Sequence, residues 1–174
     1  MDKPLRVEAA PQLPLARRSP APLALSVCTG ATWLSKALED MEASKQVTIA
    51  SYMYDHPRVQ DLLTKKLRAQ HAPFTLVVVV DHAAYKSGVP RLQRPRLQSL
   101  RGLGALVYLA NGRRGKGSFH LKAIVLDSKV AFIGTASATL ASETNHELML
   151  RVTGPAVQDI EADINTAVVR ASVL

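Results

Sequence analysis

The sequence has little of several residue types on which many functional sites depend. Cys28 is the only cysteine among 174 residues, which excludes an internal disulfide and any zinc site built from several cysteines. Aromatic residues make up only 5%, so a wide platform for stacking nucleic-acid bases is not expected. No apolar run approaches the length of a membrane span, and the longest, Phe74 to Val80, predicts a buried strand. The remaining composition, 47% hydrophobic and 21% charged, is that of one globular domain.

Acidic residues are absent from one long interval of the chain, between Asp81 and Asp127. The same interval contains nine basic residues: Lys86, Arg91, Arg94, Arg96, Arg101, Arg113, Arg114, Lys116 and Lys122. The positive charge of this interval therefore exceeds the net charge of the whole chain, which is +8. A field of one sign beside a cleft attracts anionic substrates, although a basic face that only keeps the protein in solution is the alternative interpretation.

The chain divides into a proline-rich flexible arm, residues 1–28, and one folded domain, residues 29–174. Five of the ten prolines fall in the first 22 residues without any hydrophobic period around them. Because proline removes a backbone donor and disfavours helix, we expect no regular structure there. Arg17 and Arg18 precede a fairly apolar stretch, a weak sign of a targeting segment that Pro20 and Pro22 interrupt. The compartment therefore stays open, with the cytoplasm favoured over secretion.

Beyond the arm, segments of helical and strand periodicity alternate. From Trp33 to Met41, apolar residues recur at three- and four-residue spacing, which predicts a helix. The other predicted elements are strands at Val47–Tyr54, Phe74–Val80, Ala105–Leu109, Phe119–Leu126, Val130–Ile133 and Glu147–Val152, and helices from Pro57 to about Gln70, before about Arg101, and after Gly154–Pro155. Strands alternating with helices predict an α/β sandwich with a mixed sheet.

The segment from Phe119 to Asp127 contains the residues best suited to chemistry. Side chains alternate along a strand, so His120 and Lys122 are expected on one face and Asp127 on the other. An imidazole beside an ammonium can handle a phosphate diester, because the lysine neutralises phosphoryl oxygens while the histidine attacks phosphorus or moves a proton. Asp127, at the turn before Ser128, is better suited to accept hydrogen bonds from backbone amides.

His120, Lys122, Asp127 and Gly134 fit the pattern H-x-K-x4-D-x6-G, which resembles the signature motif of the phospholipase D superfamily. The similarity covers about residues 30–170, and the upstream order of strand, helix and strand resembles the small single-motif endonucleases of that family. The resemblance implies a phospholipase D-like α/β/α sandwich with a mixed central sheet.

The resemblance also implies the catalytic residues, which are His120, Lys122 and Glu147. One His120 would attack phosphorus to form a phosphohistidine, and the His120 of a second subunit would protonate the leaving oxygen. Lys122 would stabilise charge on the non-bridging oxygens, while Glu147 would accept the second imidazole N–H and fix its tautomer. Family members bring two copies of the motif together, and this chain has one copy, so a homodimer is implied. No metal and no other cofactor is implied.

The residues implied in supporting roles are Asp127, Gly134, Thr135, Ser137 and Asn145. Ser137 departs from the family pattern G-S-x-N, which usually ends in asparagine, and a serine hydroxyl offers fewer hydrogen-bond donors. Ser142 or Asn145 could take the place of that asparagine.

The glycine-rich loop before the motif supplies further candidates. Arg113, Arg114 and Lys116 are expected to contact substrate phosphates, because mobile bases on such loops favour phosphate binding. Tyr52 and Asp55, near the end of the first predicted strand, could line the cleft or have core or loop roles.

Three functions are compatible with these residues. The first is a nuclease with little sequence preference, acting on DNA or RNA, because a polyanion suits the acid-free basic interval. The second is a phosphodiesterase on membrane lipids such as cardiolipin, although no convincing anchor accompanies the basic charge. The third is a catalytically weak nucleic-acid-binding protein that keeps the fold, for which Ser137 is the best support.

Overall fold

A computed structural model describes residues 22–29, 31–69, 73–112 and 116–174. These residues form one eight-stranded sheet with helices on both faces. The elements in chain order are β1 (Ala24–Thr29), α1 (Ala31–Ala43), β2 (Gln46–Ser51), α2 (Pro57–Arg68), β3 (Thr75–Asp81), α3 (His82–Ser87), α4 (Gln93–Gly102), β4 (Leu106–Ala110), β5 (Lys122–Leu126), β6 (Val130–Gly134), a 3-10 turn (Leu140–Glu143), β7 (Leu148–Thr153), α5 (Ala156–Val168) and β8 (Ser172–Val173).

The sheet is mixed, as the sequence predicts. Its strand order is β1-β7-β6-β5-β2-β3-β4-β8. Helical crossovers join β2, β3 and β4, which therefore run parallel, whereas β5, β6, β7 and β1 follow one another antiparallel. The turn between β5 and β6 places Asp127 and Ser128 at positive φ, 50° and 53°, which matches the twist that a tight hairpin requires. The predicted α/β class is confirmed.

Two hydrophobic cores lie on the two faces of the sheet. One packs α1, α2 and α4 against one face, with Trp33, Tyr54 and Phe132 among its fully buried side chains. The other packs α5 against the opposite face through Val157 and Ile164. Alternate residues of each strand supply the two cores, which produces the three-layer arrangement. No helix within the described residues is long and apolar enough to cross a bilayer.

The ordered sheet begins earlier than the predicted start near Thr29. Residues 24–28, assigned from sequence to the proline-rich arm, belong to β1, which pairs antiparallel with β7 from Ala24–Thr153 to Thr29–Leu148. Composition could not predict this strand, because it lies at the sheet edge with Leu25 and Val27 57% and 65% exposed. Its order depends on β7, more than a hundred residues away in the chain. Residues 1–21, the rest of the predicted arm, lie outside the described residues.

Candidate active site

Most of the described candidate site residues lie where one end of β2, β5, β6 and β7 comes together. Because β5 runs antiparallel to β2, its first residue, Lys122, pairs with the last residue of β2, Ser51. The end of β6 and the start of β7 reach the same edge, where Gly134 pairs with Met149. Segments that are far apart in the sequence therefore contribute side chains to a single cleft.

His120 and Lys122 lie in contact at this edge. The Nζ atom of Lys122 is 3.0 Å from Nδ1 and 3.2 Å from Nε2 of His120, and it donates to the His120 carbonyl oxygen at 3.1 Å. The imidazole is exposed and the lysine is partly buried. Burial lowers the pKa of Lys122 below its ordinary value, and the nearby Glu147 carboxylate opposes this change. The pair that the sequence singled out is thus brought together.

β5 is shorter than predicted, and Asp81 explains the difference. β5 begins at Lys122 instead of Phe119, so strand alternation does not orient His120. The Phe119 N–H donates at 2.7 Å to Oδ2 of Asp81, while Oδ1 of the same carboxylate accepts from Ala84 N–H at 2.8 Å and caps α3. Asp81 is 1% exposed. It fixes the backbone immediately before His120.

The sequence pattern marks Asp81 only as the boundary of the acid-free interval and does not predict this role. One signal was available: an aspartate directly after the Val77–Val80 run sits at the carboxyl end of a parallel strand, where functional side chains collect.

Tyr52 belongs to the site. Its ring centroid is 4.8 Å from that of His120, with the planes tilted by 51°, and Lys122 Nζ lies 5.7 Å from the tyrosine centroid. The choice between cleft and core that the sequence left open is therefore decided for the cleft.

In the described part of the chain, Glu147 accepts hydrogen bonds from Thr135 and Asn145 and not from His120, the donor that the family resemblance implied. Thr135 Oγ1 donates to Glu147 Oε2 at 2.5 Å, and Asn145 Nδ2 donates to Oε1 at 3.3 Å. Among the described residues no hydrogen bond joins Glu147 to His120, which the resemblance implied. The charge of the carboxylate acts on Lys122, where it partly offsets the lowering of the ammonium pKa by burial.

Gly134 permits a close approach between β6 and β7. A Cβ atom built on this residue would lie 2.1 Å from the Leu148 carbonyl oxygen and 2.9 Å from Met149 Cα. The same Leu148 oxygen accepts from Thr135 N–H at 3.0 Å, and Leu148 N–H donates to Thr135 Oγ1 at 3.0 Å. The glycine of the motif therefore lets Thr135 reach both β7 and Glu147.

Ser137 lies in a buried segment behind the cleft and is 7% exposed. Ala138 N–H donates to Ser51 Oγ at 2.9 Å, which ties this segment to the end of β2. Ser142, one of the two possible substitutes for the family asparagine, is 3% exposed and hydrogen-bonds Thr139 at 3.1 Å. Ser142 is therefore turned away from the cleft, whereas Asn145 is exposed and reaches Glu147.

The 3-10 turn that follows Ser137 is fastened to the start of α2. Asp55 Oδ1 accepts from Leu140 N–H at 2.9 Å, and His56 Nε2 lies 3.3 Å from Glu143 Oε1. Burial lowers the pKa of His56 below its ordinary value. These contacts hold the segment that leads to Asn145 and Glu147.

Asp127 lies at the other end of β5, away from the cleft. Its Oδ1 accepts hydrogen bonds from the backbone amides of Lys45 at 2.9 Å and Gln46 at 2.7 Å. The sequence predicted contacts of this kind. Asp127 thus joins the β5–β6 turn to the start of β2.

The loop that precedes the motif is described only in part. Arg113 and Arg114 lie outside the described residues, whereas Lys116 is exposed. The loop closes through a bridge between Asn111 and Ser118 and a hydrogen bond from Gly112 N–H to the Gly117 carbonyl oxygen at 3.0 Å. This closure brings the two ends of the loop together beside His120, since Asn111 and Ser118 line a cavity with it.

Two cavities open beside the imidazole. One, of about 410 Å³, lies between the Asn111–Ser118 closure and α5. The other, of about 510 Å³, extends along Lys122 and Gly134. Asp163 of α5 lines both, so the helix forms the wall opposite the motif. No cluster of three or more histidine, cysteine or carboxylate side chains that could hold a metal occurs in the described ranges.

Comparisons with known proteins agree with this architecture. A family model described as cardiolipin synthase, PLD-like domain, matches residues 39–167. The fold is similar to that of Nuc from Salmonella typhimurium, described as a phospholipase D family member, with TM-score 0.73 and 14% identity over 87% of this chain and 99% of that chain. No curated protein sequence matches this chain.

Two further solved structures have similar folds. NucT from Helicobacter pylori has TM-score 0.68 and 16% identity, over 88% of this chain and 100% of that chain. Phosphatidylserine synthase from Haemophilus influenzae has TM-score 0.68 and 18% identity, over 94% of this chain and 42% of that chain. At such identities these structures show a shared fold and leave the substrate open.

Proposed function

The chain belongs to the family of PLD-like domains, whose model covers residues 39–167, and from this premise we propose that it hydrolyses phosphate diesters. The observation that carries the proposal is the contact of 3.0 Å between the Lys122 ammonium and the exposed His120 imidazole, at the mouth of two cavities. An ammonium stabilises the charge that develops on phosphoryl oxygens, and an accessible imidazole supplies a nucleophile or a proton carrier.

The proposed reaction has two displacement steps at phosphorus. His120 attacks phosphorus, so that a P–N bond forms while the P–O bond to the leaving alcohol breaks. The partner's His120 gives its proton to the leaving oxygen. It then takes a proton from water, whose oxygen attacks the phosphohistidine, and the P–N bond breaks to release a phosphomonoester. Lys122 contributes charge throughout, and Glu147 favours its protonated form.

A homodimer is part of the proposal, because the two histidines must come from two chains. In an isologous interface, the strand ends that carry His120 in one chain would face the same strand ends of the other chain. Subunit mixing tests this point. If each site needs both His120 side chains, wild-type protein exchanged with His120→Ala protein keeps activity as the square of the wild-type fraction, to about a quarter for equal amounts. A linear decline, to about a half, would show that each chain works alone.

Nucleic acid is the substrate that the charge distribution favours. The exposed bases of the acid-free interval include Lys86, Arg91, Arg101 and Lys116. A polyanion gains affinity from contacts of this kind, because its phosphates dominate binding. The proposed activity is therefore a metal-independent nuclease acting on DNA or RNA.

A phospholipid is the second candidate substrate. The observation in its favour is a row of exposed apolar side chains at the β1 edge: Leu23, Leu25 and Val27 are 55%, 57% and 65% exposed. Apolar side chains of this kind can enter a lipid surface. The description of the matching family model also names cardiolipin synthase.

One assay separates these possibilities. Plasmid and single-stranded oligonucleotide are incubated with the protein in EDTA, alongside His120→Ala, Ser137→Asn and the control His146→Ala, which removes another exposed histidine. Cutting by the wild type and the control, lost in His120→Ala, supports the nuclease. Hydrolysis of cardiolipin or phosphatidylserine vesicles with nucleic acid left intact supports the lipid enzyme. Salt-sensitive binding without turnover of either would leave a binding protein and contradict the proposal.

A further inference from the structure

The backbone on either side of Tyr52 is fixed by one local hydrogen bond and by hydrogen bonds to two other segments. Ser51 Oγ donates to the Met53 carbonyl oxygen at 2.6 Å and accepts from Ala138 N–H at 2.9 Å. The Tyr52 carbonyl oxygen accepts from Asp81 N–H at 3.4 Å. The position of the tyrosine ring is therefore set by the end of β2, the end of β3 and the segment after β6.

The Tyr52 ring does not serve either hydrophobic core. It is partly buried and belongs to neither core cluster, whereas Tyr54, two residues later, is fully buried in the larger core and donates its hydroxyl to Gln60 at 3.0 Å. The aromatic and cation contacts of the Tyr52 ring within the described residues are with His120 and Lys122. Packing alone gives no reason for an aromatic ring at this position.

The side chains of both partners, His120 and Lys122, can adopt several conformations unless another residue restrains them. His120 precedes β5, so no strand ladder holds its side chain, and the imidazole is exposed. Lys122 has a long stem with several rotatable bonds, and fixing such a side chain has an entropic cost. A tilted contact between two rings is a favoured aromatic geometry, and an ammonium within about 6 Å of a ring centroid is attracted to the ring face. One ring can thus restrain both groups before substrate arrives.

We propose that Tyr52 is a positioning residue, whose ring, and not its hydroxyl, aligns the His120 imidazole with the Lys122 ammonium. The kinetic part of this inference rests on the proposed hydrolysis of phosphate diesters, while the structural part does not. Preorganised reacting groups accelerate a step strongly, and a displacement of about 1 Å can lower a rate on the order of a hundredfold. The ring is expected to act mainly on kcat, because its partners His120 and Lys122 are the proposed reacting groups.

The structural part is tested by NMR without any substrate. The ring current of Tyr52 should displace the His120 imidazole proton resonances from their free values. The displacement should persist in Tyr52→Phe and disappear in Tyr52→Leu. A matched control is Tyr85→Leu, which removes another partly buried tyrosine with its own cation partner, Arg94 at 5.4 Å from its centroid. Unchanged His120 resonances in Tyr52→Leu would overturn the inference.

The kinetic part uses the same variants with the best phosphodiester substrate. Tyr52→Leu should lower kcat roughly ten- to hundredfold with KM changed less than about threefold, while Tyr52→Phe stays within about threefold of wild type. Loss of activity in Tyr52→Phe would assign the role to the hydroxyl and contradict the inference, as would full activity in Tyr52→Leu. Tyr52→Met provides a second ring-free variant if circular dichroism shows that Tyr52→Leu is misfolded. Inactivity of the wild type on every diester would refute the proposed function, and the NMR experiment would still test the contact between the Tyr52 ring and His120.

Discussion

Replacing Gly134 with alanine tests how closely β6 and β7 approach each other behind the site. The added Cβ would lie 2.1 Å from the Leu148 carbonyl oxygen and 2.8 Å from Met149 Sδ, and real Cβ contacts below 3.0 Å essentially do not occur. The methionine side chain can turn aside, but the Leu148 oxygen belongs to the backbone. Either β6 or β7 must therefore move by roughly 1 Å at this point.

The size of the effect follows from what that movement disturbs. Thr135 N–H and Leu148 O are joined at 3.0 Å, and Thr135 Oγ1 holds Glu147, so the shift weakens a backbone hydrogen bond and the carboxylate's attachment. Overpacking in a well-ordered region costs about 1–3 kcal/mol, and a weakened backbone hydrogen bond adds about 1 kcal/mol. We expect Gly134→Ala to lower the free energy of unfolding by about 2–4 kcal/mol. For a chain of this length the melting temperature should fall by about 5–15 °C.

The assay is thermal and urea unfolding followed by far-UV circular dichroism, with Gly102→Ala as the matched control. Gly102 is the last residue of α4, and a Cβ there would meet nothing within 4 Å. The control should therefore change stability by less than about 1 kcal/mol. Gly134→Ala melting within about 1 °C of the control would refute the close approach of β6 and β7, and with it the reason given for a glycine in the motif.

Substitutions at three other residues test the roles of a backbone anchor, of the ammonium and of the turn carboxylate. Asp81→Ala should lower the free energy of unfolding by about 1–3 kcal/mol, because it uncaps α3 and leaves the buried Phe119 N–H without its acceptor. The protein that still folds should have lower activity. Asp81→Asn should have a smaller effect in both the unfolding and the kinetic assays. Burial lowers the pKa of Lys122, so its ammonium loses its proton at a lower pH than an exposed lysine does. In a pH profile of kcat/KM, wild-type activity should therefore fall as pH rises into that lower range. Any residual activity of Lys122→Arg should persist to higher pH, because arginine stays charged. Asp127→Ala should lose about 1–2 kcal/mol in urea unfolding but keep kcat, since this carboxylate lies at the far end of β5; a large loss of kcat in fully folded protein would contradict its assignment as a structural residue.

The sequence predicted what local patterns can encode. The period of α1, the β-branched run of β3 and the spacing of the motif residues identified the α/β class, and the contact between His120 and Lys122 agrees with their placement as a pair. Each of these features depends on residues within one short stretch of chain. The sequence also predicted that Asp127 would accept hydrogen bonds from backbone amides, but the amides that it binds, those of Lys45 and Gln46, lie 82 and 81 residues earlier and no local pattern identifies them.

The features that escaped prediction depend on contacts between distant segments. β1 has no pattern of its own and exists through its pairing with β7. Asp81 acts on Phe119, 38 residues later, and the ring of Tyr52 reaches His120 only because β2 and β5 are neighbours in the sheet. Glu147 was placed on the histidine by resemblance, whereas Thr135 and Asn145 engage both of its oxygens. Side-chain partners of this kind are set by sheet order, which composition and periodicity do not encode.

The assembly of the cleft from strand ends has a consequence for how the protein can be divided. Tyr52, Asp81, His120, Gly134 and Glu147 stand on five stretches that adjoin only when β2, β3, β5, β6 and β7 lie side by side. Any fragment that omits one of these strands also lacks a member of the cleft, and we expect such a fragment to have no activity. Cleavage of the chain that separates β7 from the rest of the sheet should therefore abolish the proposed activity, even if the helices remain folded.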